Sequence, residues 1–491
     1  MIRRMSLLGA ALALASAGCI VTPDETCDAA GGPIHCNPGL TCNPTSGLCE
    51  GAGTQGGSTA GTSAGSGGSG GTTGSCAGLT VPAIHCARQG GELGWLVVGE
   101  TPVITCTVDP GSAPSSWTAA VNPGFFTADA RSAPDAVYVN LVASGVPIDF
   151  GDTDVAVTVT AHFCAGAATT DVVHLNVVGN TLAADHWEGN VKVYSSGGAS
   201  LGLLGGAVVS GKPNMLATLA NGDVLVGSST QLVELDRRGA LVQTFDVTDH
   251  AGQPLFPGCG DGCITEPWAA AEAADGNIWV TANSGRDSNG FIYRFSPAGR
   301  YLDTVPRPTG ANPTYWLPMG IARRGDGAML VSTGAEQSPA YLALYPSGGV
   351  SGTYMQAQVQ DCTASGCTTP TFNDMGLSGI WIDPDGTLYA TNIWEDDEDG
   401  DLAAFDATTL AFHRASVHPT SGLDPTYNKW FRGLTRAGDR LLVAVWNSCV
   451  WAVDPQTLMP LPEGRGVSAN GCIAGTGVID LRSVAHLGAA P

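Results

Sequence analysis

The densest set of reactive side chains is Glu395-Asp396-Asp397-Glu398-Asp399-Gly400-Asp401. Carboxylates packed this closely repel one another unless water screens each of them or a hard cation sits among them. Glu395, Asp397 and Asp399 alternate, Gly400 follows, Asp401 extends the run, and Asp406 falls at the twelfth position counted from Glu395. That is the spacing of an oxygen-ligand calcium loop. Two features depart from the pattern: the first position is Glu, and Asp406 is shorter than the bidentate Glu usual at the twelfth. Two readings stand, a solvated acidic loop between strands and a calcium site of structural character. Calcium is the one cofactor the sequence points to.

A second constellation emerges from a repeat. Pro213-Asn214-Met215-Leu216 leads to Asn221-Gly222, and Pro267-Trp268 leads to Asp275-Gly276. Pro318-Met319-Gly320-Ile321 leads to Asp326-Gly327, and Leu377-Ser378-Gly379-Ile380 leads to Asp385-Gly386. Phe431-Arg432-Gly433-Leu434 leads to Gly438-Asp439. An apolar strand follows each turn, and the turns recur every 51 to 59 residues. Such a period marks stacked supersecondary units. Asn-Gly and Asp-Gly tolerate positive φ and so predict tight turns between antiparallel strands. A third strand follows in each copy, for example Ile292-Tyr293-Arg294-Phe295, and most copies carry a fourth. Four strands per copy make one blade of a β-propeller. Residues 476–486 read as one further inner strand, and 181–204 supply three strands that lack one. Joined, they close a sixth blade and remove exposed edges.

The motif of apolar residue, Gly and Ile/Leu, then Asp-Gly and a hydrophobic strand, resembles NHL-repeat propellers and the related SMP-30/gluconolactonase and streptogramin-lyase-like group. The resemblance covers about residues 179–491. It implies the fold more than an activity.

In a propeller of this kind the residue after each repeat's first position lies near one mouth of the central tunnel. These are Asn214, Trp268, Met319, Ser378 and Arg432, with Lys212, Glu266, Trp316, Lys429 and Trp430 as neighbours. Aromatics beside a few charges suit a sugar, a peptide or another small organic ligand; aromatics at blade junctions also serve simply as packing. The SMP-30 resemblance implies a divalent cation on the axis held by a carboxylate and Asn ligands. Glu266, Asn283 and Asn392 are loose candidates that do not align to that family's motif. The nine His are scattered, and none pairs with a Ser and an Asp as a triad.

Two motif matches carry no chemistry. Gly61-Thr62-Ser63-Ala64-Gly65 has the form of a nucleophile elbow, but it lies in a stretch of Gly, Ser, Thr and Ala that offers no strand-to-helix turn. Gly206 to Lys212 (GAVVSGK) approaches a phosphate-binding loop, but Pro213 stands where Ser or Thr would hold magnesium, and a strand follows.

The remaining chain specifies export. Arg3 and Arg4 precede an apolar run from Leu7 to Ala15, too short to span a bilayer. Ser16-Ala17-Gly18-Cys19 resembles a bacterial lipobox, with Ser16 where Leu is usual; Cys19 would be acylated. Fifteen Cys minus Cys19 leaves an even fourteen. Ile20 after Cys19 favours, by resemblance to lipoprotein sorting, the outer membrane or surface of a Gram-negative cell. Residues 27–49 carry four Cys in a segment too small for a core, so disulfides are the expected staple. Residues 51–75 are a flexible linker reaching about 25–30 Å.

Residues 76–178 alternate in strand fashion. Cys106, Trp117 and Cys164 have the spacing of an immunoglobulin-like sandwich with an inter-sheet disulfide, although His162 stands where that family often has Tyr. Cys76 and Cys86 are a second candidate pair. Cys259/Cys263 and Cys362/Cys367 read as small loop clips, and Cys449 with Cys472 as a tie between the last full blade and the closing segment.

The charge, 21 − 44 = −23, argues against a nucleic-acid or anionic-membrane surface. Membrane contact is expected through the lipid anchor alone. The expected organisation is a signal peptide (1–18), a lipidated Cys-rich module (19–50), the linker (51–75), an Ig-like β-sandwich (76–178) and a six-bladed β-propeller (179–491), an all-β fold. The function it favours is non-catalytic binding or scaffolding of a protein, glycan or small organic ligand. A metal-dependent hydrolase or lyase and a purely structural surface protein are the alternatives.

Overall fold

The computed structural model describes residues 40–43, 48–51, 81–89, 94–108, 114–130, 136–140, 145–163, 166–206, 208–209, 211–256, 258–259, 263–283, 290–311, 316–333, 341–357, 361–363, 366–368, 377–392, 402–416, 431–445, 449–464, 466–468, 471–473, 476 and 480–488. The chain divides into two compact units, Met1–Ser75 and Cys76–Pro491. In the first, Leu40–Asn43 pairs antiparallel with Leu48–Gly51, which sets Cys42 opposite Cys49. Cys19 lies outside the described residues.

The second unit is all-β among its described residues and is built on a β-propeller. Alternation of apolar and polar residues makes strands, and each strand's neighbour is the next one in sequence. The result is a series of meanders: 213–218 with 224–228, 232–235 and 241–244; 266–272 with 278–283, 291–295 and 301–304; 318–323 with 329–333, 341–345 and 353–356; 377–382 with 387–392, 402–406 and 412–415. A further sheet, 431–437 with 440–445 and 450–453, has three strands among the described residues. The last inner strand, Leu481–His486, is the C-terminal one, and it pairs with Thr181–Asp185 far upstream, followed by 190–194 and 200–204. Consecutive inner strands are neighbours, and Leu481–His486 touches both Phe431–Ala437 and Pro213–Thr218, so the ring closes. The splice of one C-terminal strand onto three N-terminal ones holds the ring shut with backbone hydrogen bonds across nearly the whole unit.

The repeat's glycines have separate reasons. Gly222, Gly276, Gly327 and Gly386 have φ between 79° and 87°, the left-handed region that favours glycine. The Asn or Asp before each is not left-handed. Its carboxylate or amide oxygen instead accepts from the N–H two residues on, as in Asn221 to Asp223 (2.9 Å) and Asp385 to Thr387 (2.8 Å). The expectation that both turn residues take positive φ is therefore corrected. The link is a type I turn closed by a left-handed Gly, with Gly222 N donating to Leu219 O.

Gly320, Gly379 and Gly433 are needed for space. A Cβ at Gly320 would lie 2.3 Å from Ser378 O, one at Gly379 2.7 Å from Arg432 O, and one at Gly433 2.9 Å from Val484 N. Neighbouring inner strands approach backbone to backbone there.

Residues 81–178 form two sheets over one core. One sheet has the order 84–88, 103–108, 136–140, 127–129, and the other 116–122, 153–162, 168–177. Ile104, Phe126, Phe150, Val155, Val157, Val159 and Leu175 fill the space between. Cys106 is bonded to Cys86, directly opposite on the adjacent strand of the same sheet with Cα atoms 4.1 Å apart. This overturns the inter-sheet pairing of Cys106 with Cys164 and the pairing of Cys76 with Cys86. A cross-strand partner in register lies within disulfide reach without bridging two sheets. Cys164 and Cys76 lie outside the described residues. Cys449 is joined to Cys472. The backbone sets Cys259 opposite Cys263 and Cys362 opposite Cys367.

Candidate functional site

The inner strands enclose a central tunnel of about 570 Å³, lined by all of them along their length. Its two ends differ. At the end where the inner strands finish, the two-sheet region seats against the ring. Trp95 packs on the turn at Gly438, where an added Cβ would lie 2.8 Å from the indole. Asp152 N donates to Leu487 O, and the Asp152 carboxylate is 2.8 Å from His486 Nε2. Arg238 meets Asp149 at 2.7 Å, and Arg237 donates to Gly488 O. Trp95 and Asp152 themselves line the tunnel. A shared apolar cluster of Val97, Val178, Ala183, Ala437 and Leu442 makes this junction part of the core.

At the other end each inner strand begins with a register shift. The shifts fall between Pro213 and Met215, Pro267 and Ala269, Pro318 and Ile321, Leu377 and Ile380, and Phe431 and Leu434. A bulge breaks the alternation of faces and re-aims the side chain it carries. The repeat's second residue is that side chain, which is why the five mouth positions share one place in the fold and yet do different things.

Asn214 and Ser378 stitch the ring. Asn214 Nδ2 donates to Pro267 O at 3.1 Å, and Ser378 Oγ donates to Arg432 O at 3.0 Å. Thr281 and Ser332, on second strands, do likewise to Met319 O and Ser378 O. Asn283, a loose metal-ligand candidate, donates to Pro318 O at 2.8 Å and is buried. Met319 is buried, and Trp316 is core, packed edge-on to Tyr354. Asn214 Nδ2 is thus committed to the neighbouring strand while its buried Oδ1 has no hydrogen-bond partner among the described residues, and Trp316 is committed to the core.

Trp268 and Arg432 remain, and they meet. The Arg432 guanidinium stands over the Trp268 ring, 4.7 Å from its centroid. Their strands are three places apart in the ring, so the pair spans the mouth. Arg482 is the matching residue of the closing strand, since Leu481-Arg482-Ser483-Val484 aligns with Phe431-Arg432-Gly433-Leu434. The sequence reading missed it, although that alignment was the available signal. Arg482 makes a two-pronged contact with Asp480, at 2.6 and 3.1 Å. His186 N donates to Asp480 O. Lys212 stands 5.6 Å from the ring centroid of Trp187, which is 65% exposed.

These groups sense one another. Arg432 keeps partial access to solvent, yet the protein packed around it pushes its pKa down to about 9, with the charge of Arg482 adding to the effect. Burial raises Glu266, opposed by Arg482 and Arg432. Burial lowers His186 to about 4, assisted by Arg482.

No group of three or more His, Cys, Asp or Glu among the described residues is placed to hold a metal ion. Asp406 Oδ1 accepts from Thr408 N, Thr409 N and Thr409 Oγ1, a turn role that accounts for it without a cation. Glu395, Asp397, Asp399, Asp401, Lys429 and Trp430 lie outside the described residues.

No family model matches the chain, and no curated protein does. Many solved structures resemble it. A Bacteroides caccae protein of unknown function has 11% identity and a TM-score of 0.39, covering 62% of this chain and 98% of its own. A putative gluconolactonase has 14% identity and a TM-score of 0.38, covering 54% and 81%. A calcium-binding protein, regucalcin, from Agrobacterium tumefaciens has 16% identity and a TM-score of 0.34, with the same coverage. Likenesses this distant say nothing of ligand or reaction. What fold and site define is the class: an all-β protein whose β-propeller carries a charged, aromatic mouth.

Proposed function

We propose that this chain is an exported, lipid-anchored surface protein whose six-bladed propeller, of the NHL and SMP-30-like kind, binds a glycan, protein or small organic ligand without turning it over. The leader, Cys19 and the Cys-rich segment support export and anchoring. The closed ring of inner strands supports six blades. With its strands lettered A to G in chain order, the 84–177 region has sheets A-B-E-D and C-F-G, which supports an immunoglobulin-like sandwich of the constant type. Its place across the far end of the tunnel supports a role as a base that leaves one mouth for ligand.

The observation that carries the binding reading is the Trp268–Arg432 pair spanning that mouth, with Arg482, Lys212 and Trp187 beside it. A few convergent polar groups around aromatic faces suit recognition. The metal-dependent hydrolase reading fits less well. A divalent cation beside Glu266 would meet the positive charges of Arg432 and Arg482. The test is a glycan and small-molecule binding screen of the purified full chain against Trp268→Ala. Ligands retained by the first and lost by the second support the reading. Turnover of a lactone or ester that needs added metal would refute it.

A further inference from the structure

We propose that the Trp268–Arg432 contact is a gate across the axis of the propeller, one that closes the tunnel from the mouth until the guanidinium leaves the indole. It governs access to the site of the binding reading above and rests on that reading only for its purpose.

The inner strands follow one another round the ring as 213–218, 266–272, 318–323, 377–382, 431–437 and 481–486, with the last beside the first. Trp268 belongs to the second and Arg432 to the fifth, so the two stand on opposite walls. Side chains from opposite walls touch only by crossing the axis, and these meet with the guanidinium carbon 4.7 Å from the ring centroid. Both line the tunnel. The other residues at this level are held to their own walls. Asn214 and Ser378 donate to backbone of the neighbouring blade, Met319 is buried, and Arg482 is tied to Asp480. Beyond the crossing pair the tunnel continues between Ile321, Ile380, Leu434 and Val484 to Trp95 and Asp152.

Three features make the pair a gate and not a fixed strut. Trp268 Nε1 donates to Asn283 O at 3.3 Å, so the indole is anchored to its own blade and the moving part is the arginine. A cation over an aromatic face is a contact of modest strength that a rotation of the long side chain breaks. Burial disfavours the charge on Arg432, and Arg482 adds repulsion, so a swing toward solvent relieves both costs. Arg432 has a further partner besides the indole, and the gate does not depend on which group that is. A ligand that draws the guanidinium toward the mouth opens the way into the chamber of about 570 Å³ behind it.

The experiment places a thiol behind the gate. Ala270 lines the tunnel two residues beyond Trp268 on the same strand, toward the far end. The labelling rate of Ala270→Cys by a small methanethiosulfonate reagent is measured in the full oxidised chain, with the chain lacking that thiol as the blank. It is then measured again with Arg432→Gln and with Arg432→Lys. Unchanged melting temperatures identify the variants that keep the fold, and Trp268→Leu removes the other half of the pair where Arg432→Gln does not fold. The expected result is labelling about 3- to 30-fold faster once the contact is gone. Arg432→Lys, whose ammonium also rests on an indole, should stay near the parent rate. Equal rates with and without the contact overturn the gate. So does equal acceleration in Arg432→Lys, the mark of a loosened wall. Labelling needs no ligand, so its outcome and that of the binding screen above are independent.

Discussion

Replacing Gly320 by Ala tests how the ring is packed. The added methyl would lie 2.3 Å from Ser378 O, 2.8 Å from Ile380 N and 2.8 Å from Ser332 Oγ, where ordinary contact begins near 3.4 Å. Two of those atoms are backbone of the next inner strand and cannot rotate away, so the strands must part by about 1 Å. Parting them also disturbs Ser332 Oγ, which donates to Ser378 O at 2.7 Å and accepts from Gly320 N at 2.8 Å. Overpacking of about 1–3 kcal/mol plus about 1 kcal/mol for each weakened hydrogen bond gives a loss of about 2–5 kcal/mol. Gly325→Ala is the control, since nothing lies within 4 Å of its Cβ and its φ is unstrained; a change within about 0.5 kcal/mol is expected. Gly386→Ala isolates backbone strain, with φ 87° and open space, at about 1–2 kcal/mol. Denaturant midpoints of the oxidised proteins measure all three. A Gly320→Ala midpoint equal to that of Gly325→Ala would show that the inner strands do not touch as described.

Further outcomes follow from the same geometry. Removing the Cys449–Cys472 bridge by a double Ser substitution frees a loop of 23 residues and should lower stability by about 3 kcal/mol, read from the same unfolding curves. His186 has a pKa near 4, against 6.5 for the unfolded side chain, so below pH 6.5 the unfolded chain binds a proton that the native state refuses. Stability should fall as pH drops from about 6.5 to about 4, and His186→Gln should flatten that slope. Glu266 acts in the opposite sense, because its raised pKa lets the native state take a proton first; Glu266→Gln should steepen the loss. Changing Asp397 and Asp399 together to Asn tests the acidic loop: elemental analysis should find calcium in the parent and none in the variant if the loop is a site, and an unchanged metal content eliminates it. Cys19→Ser should move the protein from the membrane fraction to the soluble exported fraction.

Much of the fold was legible in the sequence because its causes are local. Strand alternation, a left-handed Gly in the turn of each copy, and a repeat of 51 to 59 residues are properties of short stretches, and the propeller follows from them. The cysteine-dense segment and the net charge of −23 are likewise compositional. The site was legible only in part. The repeat picked out Trp268 and Arg432 together with Asn214, whose Nδ2 makes a cross-strand hydrogen bond, and the neighbouring Trp316 is a core residue.

What the tertiary structure alone decided is which distant groups meet. Arg432 reaches Trp268 from 164 residues away because their strands face each other across the ring (432 − 268). Arg482 joins them because ring closure brings the C-terminal strand beside the first repeat. Cys106 found Cys86 because antiparallel register set them opposite, a relation that Cys spacing does not encode. Trp95 and Asp152 came to close the tunnel's far end through the seating of one folded region on another. Each contact depends on register, ring order or docking, which are sums over many strands. The sequence by itself determined the elements and the period; their closure into a ring decided the site.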